Sequence, residues 1–148
     1  MHNSPADSER WERDYRRGVS ILSEQLARHR NEFTSHEIEV VFLGHWDRDW
    51  PMWSSTFRRK WPIQSDFGLV TVALTYQWPL NLGPPEPISV RWQAEVFPTG
   101  GDSRFRVQGE SSISVEELCT RGILAVVSGL IDTGTQQIQA ATAPRGAR

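Results

Sequence analysis

Residues 88–110, ISVRWQAEVFPTGGDSRFRVQGE, alternate apolar and polar side chains on both sides of a Gly-Gly pair. Alternation with a period of two predicts β-strands that bury one face. Gly100 and Gly101 suit a two-residue hairpin turn, because such turns need positive φ angles. The segment therefore predicts an antiparallel hairpin with its turn at the two glycines.

The side chains of this hairpin also predict its register. With the turn at residues 100–101, Val96 faces Phe105 and Ala94 faces Val107 on the apolar face. The outer face then carries three polar pairs, which are Glu95 with Arg106, Gln93 with Gln108, and Arg91 with Glu110. Each such pair contributes about 0.2–1 kcal/mol when its members lie directly opposite. Apolar pattern, turn chemistry and charge pairing thus select one register.

Two further segments have the composition of strands. Residues 69–78 alternate between an apolar set that includes Val70 and Val72 and a polar set that includes Thr71 and Thr75. Residues 37–44, EIEVVFLG, are rich in β-branched and apolar side chains. Together with the hairpin, they predict an antiparallel sheet of about four strands, a three-stranded meander plus one.

One helix is predicted before the strands in the sequence and one after them. In residues 8–33, apolar side chains recur at steps of three and four, which is typical of an amphipathic helix. Ser114 and Glu117 form a capping-box pattern that predicts a second helix start. This helix should run through Gly122 to about Gly134, with Leu118, Val126 and Leu130 in the core.

Aromatic residues crowd the segment between the first two predicted strands. They are Trp46, Trp50, Trp53, Phe57 and Trp61, spaced four, three, four and four residues apart. This spacing predicts a short helix over residues 50–61 with one aromatic face. Three cations, residues 58–60, would lie in its last turn, where the helix dipole favours them.

These elements predict an α+β fold in the order α-β-α-β-β-β-α, with the helices on one face of the sheet. The 148 residues suit one domain, expected over residues 8–134. Residues 1–7 are predicted to be a disordered lead and residues 135–148 a disordered tail. The other face of the sheet should be polar and open.

Composition narrows the class of protein. The net charge of −2 shows no excess of Lys and Arg, which argues against a nucleic-acid partner. The single cysteine, Cys119, excludes an internal disulfide. The polar first residues lack the apolar region of a signal peptide, and no apolar stretch is long enough to span a bilayer. We therefore expect a cytoplasmic protein that does not enter a membrane.

The sequence contains only weak signals for metal binding or catalysis. His45, Asp47 and Asp49 alternate as metal ligands on a strand end would, but no second cluster completes a coordination shell. Cys119 falls in the first turns of a helix, where a thiol pKa can be lowered, but no histidine is paired with it in sequence. We predict no metal and no cofactor, and favour a protein that is not an enzyme.

The function predicted from these features is a non-catalytic protein-interaction domain, such as an adaptor, an immunity-type protein or a chaperone-type partner. It would dock another protein through the aromatic-basic segment, residues 46–61, or through the polar sheet face. The candidate contact residues are Trp46, Arg58, Arg59, Lys60, Trp61, Arg91 and Arg106. For the aromatic-basic segment, this hypothesis requires that Arg58 and Arg59 not both be held in ion pairs within the chain.

Two alternative functions stay open. A small-ligand-binding or enzymatic domain would have a pocket between the sheet and the helices. Binding of single-stranded nucleic acid would use the cations at residues 58–60 and the neighbouring tryptophans. Self-association into a homo-oligomer is compatible with either class.

Overall fold

The computed structural model describes residues 5–42, 45–46, 51–63, 65–77, 84–98 and 105–142. The helices are α1 (Pro5–Ser35), α2 (Val115–Arg121) and α3 (Ile123–Thr142). The strands are β1 (Glu39–Phe42), β2 (His45–Trp46), β3 (Pro51–Ile63), β4 (Asp66–Gln77), β5 (Ile88–Phe97) and β6 (Phe105–Ile113).

All described strands belong to one antiparallel sheet in the order β1-β3-β4-β5-β6, with β2 also paired to β3. The strands from β3 onward each pair with their neighbour in sequence, so they form a meander. This confirms the predicted α+β class and antiparallel sheet, but the predicted count of about four strands is too low. The described sheet has six strands, because β2 was not foreseen and β3 replaces a predicted helix.

The predicted register of the β5–β6 hairpin is confirmed. Val96 lies opposite Phe105 and Ala94 opposite Val107. On the other face, the partners are Glu95 with Arg106, Gln93 with Gln108, and Arg91 with Glu110. The predicted turn glycines, Gly100 and Gly101, lie outside the described residues.

The helix predicted over residues 50–61 is wrong, because this segment is strand β3. Trp53 and Phe57 do face the core, at 2% and 0% exposure, but Ser55 between them is equally buried. A spacing of four residues is an even number and so returns to the same face of a strand as well as of a helix. The spacing of Trp53, Phe57 and Trp61 therefore fits both structures, and the long pairing with β4 shows that the segment is a strand.

Helices α1 and α3 cover the face of the sheet that bears Phe57 and Val72, called the inner face from here on. Tyr15 of α1 donates a hydrogen bond from its hydroxyl to the Tyr76 carbonyl at 2.9 Å. The Trp53 indole donates to the Ser23 hydroxyl of α1 at 3.2 Å. The prediction of helices on one face is thus confirmed, and the core lies between them and the sheet.

The C-terminal helix is interrupted where the prediction had it continuous. Ser114 caps α2 as expected, with its hydroxyl accepting from the Glu117 amide at 3.0 Å. The helix then breaks at Gly122, whose φ of 88° is left-handed, and α3 starts afresh at Ile123. Gln25 of α1 accepts a hydrogen bond from the Ile123 amide at 3.2 Å, which satisfies one free donor at this new start.

The predicted domain limits need correction at both ends. Helix α3 continues to Thr142, and Ile138 is fully buried, so residues 135–142 belong to the domain and not to a disordered tail. Helix α1 already begins at Pro5, within the predicted lead. Leu118 and Val126 are buried as predicted, whereas Leu130 is only partly buried against the core.

Among the helices of the described residues, none combines the length and the apolar character that crossing a membrane requires. The predicted cytoplasmic location stays a prediction.

Candidate protein-interaction surface

The outer face of the sheet, opposite α1 and α3, carries the residues that alternate with the core positions. Across the sheet, the register places them in rows, such as Arg58, Thr71, Gln93 and Gln108 in one row. The neighbouring row consists of Lys60, Leu69, Glu95 and Arg106. These side chains range from half-buried to exposed, except Glu95. The outer face is therefore a broad, mostly polar surface.

A network of polar side chains lies near its centre. Glu95 is only 8% exposed. Its carboxylate accepts from the Gln93 amide and lies 3.2 Å from Nε of Arg106. Arg106 also donates through Nη2 to the Gln93 side-chain oxygen at 2.5 Å. Each of the three side chains contacts the other two, so the network orients Arg106 on the surface.

An aromatic pair lies at one end of the same face. The rings of Phe67 and Phe97 stack with their centroids 5.1 Å apart. The ammonium group of Lys60 lies 4.2 Å from the centroid of Phe67, a cation–π geometry. Leu69 occupies the next outward position on β4. This end of the outer face is thus apolar with a cation over it.

The predicted strand begins at Leu69, so the prediction does not include Phe67 and does not contain this aromatic pair. In the structure, β4 begins at Asp66. Phe67 and Leu69 share the parity of Thr71, which had been assigned to the outer face. Continuing the alternation from Leu69 two residues toward the N-terminus predicts that Phe67 also faces outward.

A shallow cavity of about 350 Å³ opens on the outer face beside the polar network. It is lined by side chains from three strands, including Thr71 of β4, Gln93 of β5 and Gln108 of β6. Arg91 lies at this cavity and pairs with Glu110 at 3.3 Å, both side chains being more than 70% exposed. Cations, amides and a recess therefore occur together here.

The adjacent residues Arg58 and Arg59 lie on opposite faces of β3. Arg58 is on the outer face and donates twice to Glu39, at 2.8 Å each. These hydrogen bonds hold the pKa of Glu39 below its usual value and that of Arg58 above its usual value. Arg59 is on the inner side, 15% exposed, and binds Asp132 of α3 at 2.8 Å and the His36 carbonyl at 2.8 Å. Both guanidinium groups are thus held in ion pairs within the chain, so the condition set for the aromatic-basic segment is not met.

The other candidate contact residues divide in the same way. Lys60, Arg91 and Arg106 lie on the outer face. Trp61 is on the inner side, partly buried, with its ring over Gly68, where an added Cβ would lie 2.6 Å from the indole. Trp46 belongs to β2, but its side chain lies outside the described residues. The structure therefore brings Arg58, Lys60, Arg91 and Arg106 onto one face and separates Arg59 and Trp61 from them.

The described residues give little support to the alternative function, which requires a catalytic pocket. A cleft of about 350 Å³ lies between β6, α2 and α3, but its charged residues, Glu117 and Arg121, are both more than half exposed. Burial raises the pKa of the Cys119 thiol, which is the opposite of what a reactive thiol needs. Within the described ranges, no three His, Cys, Asp or Glu side chains cluster as metal ligands. Two of the three side chains weighed as metal ligands in the sequence, Asp47 and Asp49, lie outside the described residues.

Known proteins do not add to this picture. No family model matches the chain, no curated protein matches it, and no solved structure matches it. The functional conclusion rests on the geometry and chemistry of the surface itself.

Proposed function

We propose that the chain is a non-catalytic protein-interaction domain, of the adaptor, immunity or chaperone type, which docks another protein through the outer face of the sheet. The observation that carries the proposal is the composition of this face. It combines arginine side chains oriented by hydrogen bonds, a recess next to them, and a stacked phenylalanine pair at one end of the face. Arginine and aromatic side chains are enriched among the residues that dominate binding energy at protein interfaces.

A protein fits this face better than a nucleic acid does. Each arginine of the outer face within the described residues is matched by a carboxylate, since Arg58 pairs with Glu39, Arg91 with Glu110 and Arg106 with Glu95. In this described part of the face, such pairing leaves no run of unbalanced positive charge to attract phosphates. Mixed charges with apolar patches are instead typical of surfaces that recognise another protein by complementary charges.

The proposed contact surface differs from the aromatic-basic segment considered at first. From that segment it retains Arg58 and Lys60, and it adds residues from the neighbouring strands. Its members are Arg58, Lys60, Phe67, Arg91, Phe97 and Arg106. The inner residues Arg59 and Trp61 support the fold and are not part of the proposed interface.

The test compares two charge-reversed variants as baits for binding proteins from the native cell. Lys60→Glu with Arg91→Glu reverses two cations of the outer face. Arg13→Glu with Arg17→Glu reverses two exposed cations of α1 and gives the same net charge. We expect a protein that co-purifies with the unchanged chain and with the α1 variant to be lost with the outer-face variant, because reversed charges oppose a complementary surface.

Circular dichroism and thermal melting of both variants establish that the fold is retained. Since exposed ion pairs contribute little to stability, about 0–1 kcal/mol each, neither variant should unfold. Equal recovery of the partner with both folded variants would contradict an interface on the outer face. Loss of the partner with the α1 variant alone would move the interface to the helical side.

A further inference from the structure

The outer residues of β5 and β6 repeat one pattern along the chain. β5 reads Arg91-Trp-Gln-Ala-Glu95 and β6 reads Arg106-Val-Gln-Gly-Glu110, which is Arg-x-Gln-x-Glu in both strands. When two such strands run antiparallel, arginine faces glutamate at both ends and glutamine faces glutamine at the centre. The β5–β6 ladder has this pairing, with Arg91 and Glu110 at 3.3 Å and Arg106 and Glu95 at 3.2 Å.

Strand β6 also presents this pattern to the open side of the sheet. It is the last strand in the sheet order, and within the described residues no strand pairs with its other side. Its nine residues contain no proline and no lysine, and its register with β5 runs without a bulge. Those are the devices with which exposed edge strands usually avoid pairing with other chains. The β6 edge lacks all three.

We infer that the chain forms a homodimer through antiparallel pairing of β6 with β6 of a second copy, about a twofold axis at Gln108. Two copies around such an axis present the same patch to each other, as closed dimers do. In this register, Arg106 lies opposite Glu110 of the second copy, and Glu110 lies opposite Arg106 of the second copy. Gln108 meets its own equivalent.

The charges favour this axis over the axes two residues away on either side. An axis at Arg106 or at Glu110 would set two like charges directly opposite, which destabilises a strand pair. The axis at Gln108 sets only opposite charges face to face. It also extends each pair within a chain into a row of four alternating charges, from Arg91 through Glu110 to Arg106 and Glu95 of the second copy.

The inner side of the edge fits the same register. Val107 comes opposite Gly109 of the second copy, which has no side chain of its own. In each chain, the Trp92 indole lies over Gly109, so close that a Cβ there would collide with it. Trp92 and Val107 are only partly buried against the core of one chain. Pairing therefore covers apolar surface on one side and completes charge rows on the other.

This inference does not depend on the proposed docking function, because it is tested on the purified full chain alone. Sedimentation over a concentration series should show a species of about twice the 16.9 kDa of one chain. In Gln108→Lys, the introduced lysines of the two copies meet at the axis, so the dissociation constant should rise about tenfold or more. The control is Gln77→Lys, the same change at an exposed position at the end of β4, which should leave it unchanged.

A charge exchange tests the register itself. Arg106→Glu alone and Glu110→Arg alone each set like charges opposite at both ends of the strand pair, so each variant should be monomeric. An equimolar mixture of the two restores opposite charges at both ends and should give a dimer. If Arg106→Glu does not fold, because Glu95 loses its partner, the comparison of Gln108→Lys with Gln77→Lys decides.

Two results would overturn the proposal. One is a monomer at all concentrations up to about 100 µM, far above what a stable edge pairing needs. The other is a dimer that Gln108→Lys and Glu110→Arg leave unchanged, since its interface would then lie elsewhere on the molecule.

Discussion

The inner and outer faces of the sheet are built from alternating residues of the same strands, but different interactions stabilise them. The inner face is apolar and closely packed, with Val70, Val72 and Leu74 fully buried in a row along β4. The outer face depends on pairs with defined geometry, such as the network of Gln93, Glu95 and Arg106. Burial of apolar area supplies stability, whereas the oriented pairs specify register and leave a patterned surface.

The aromatic residues make this contrast sharpest. Phe57 on the inner face is fully buried and packs against Phe33 of α1, with tilted rings whose centroids are 5.0 Å apart. Phe67 on the outer face is half-buried and stacks on Phe97. The same residue type thus fills the core on one side of the sheet and forms part of a surface on the other.

Replacing each phenylalanine by alanine tests the contrast directly. We expect Phe57→Ala to lower the free energy of unfolding by about 3–5 kcal/mol, because it opens a cavity in the core. Phe67→Ala should cost only about 1–2 kcal/mol, mainly the lost ring pair. Chemical denaturation of both variants measures the two values. Equal losses in the free energy of unfolding would show that the outer aromatic pair stabilises the fold as much as a core residue does.

The two tyrosines provide a spectroscopic test of how far solvent is excluded from the inner side of the sheet. They are the only tyrosines in the chain, and the rings of Tyr15 and Tyr76 stack 4.7 Å apart. Burial is the main cause that raises the pKa of each from 10.0 to about 12, and a neighbouring phenol or carboxylate adds to it. In the folded protein, phenolate absorbance should therefore appear with a midpoint near pH 12.

The sign of the stability effect follows from the same shift. Since the folded pKa lies above the unfolded value, this contribution is complete below pH 10 and is lost as the pH rises toward 12. In urea, both tyrosines should titrate near pH 10. A midpoint near pH 10 without denaturant, in protein that is still folded by circular dichroism, would contradict the buried tyrosine pair.

The smallest effects are expected from the neighbours Arg58 and Arg59. Arg59→Ala removes a nearly buried guanidinium that joins β3 to Asp132 of α3, at a cost of about 1–3 kcal/mol. Arg58→Ala removes a pair in which both side chains are about half exposed, so the cost should be about 0–1 kcal/mol. Denaturation of the two single variants measures the difference. A larger loss for Arg58→Ala would reverse the assignment of the two residues to outer and inner face.

The sequence predicted the parts of the fold whose pattern has a single interpretation. Strict alternation in β5 and β6, combined with charge pairing, allows only one register, and the structure has it. Ser114 with Glu117 likewise signals a helix start that can be recognised locally. These features depend on neighbours in sequence, so sequence alone contains the information.

Other features depend on contacts that the sequence does not display. The spacing of Trp53, Phe57 and Trp61 fits a helix and a strand equally, and only pairing along β4 separates them. The ion pair of Arg59 joins residues 73 positions apart. Ile138 has Gln, Ala and Thr as neighbours in sequence, a composition that predicts a polar tail, yet it is fully buried in the core. For the candidate surface, alternation predicted its arginines but not the aromatic pair.

Helices α1 and α3 come from opposite ends of the described chain and contact each other over the inner face. During synthesis on the ribosome, each strand from β4 onward can pair with the strand just made, because the meander joins sequence neighbours. The apolar side of this sheet stays incompletely covered until α3 emerges and Gly134 settles against Val70 and Ala94. A nascent chain that stalls before α3 therefore displays a sheet with an incompletely covered apolar face, and exposed apolar surface of this kind favours aggregation.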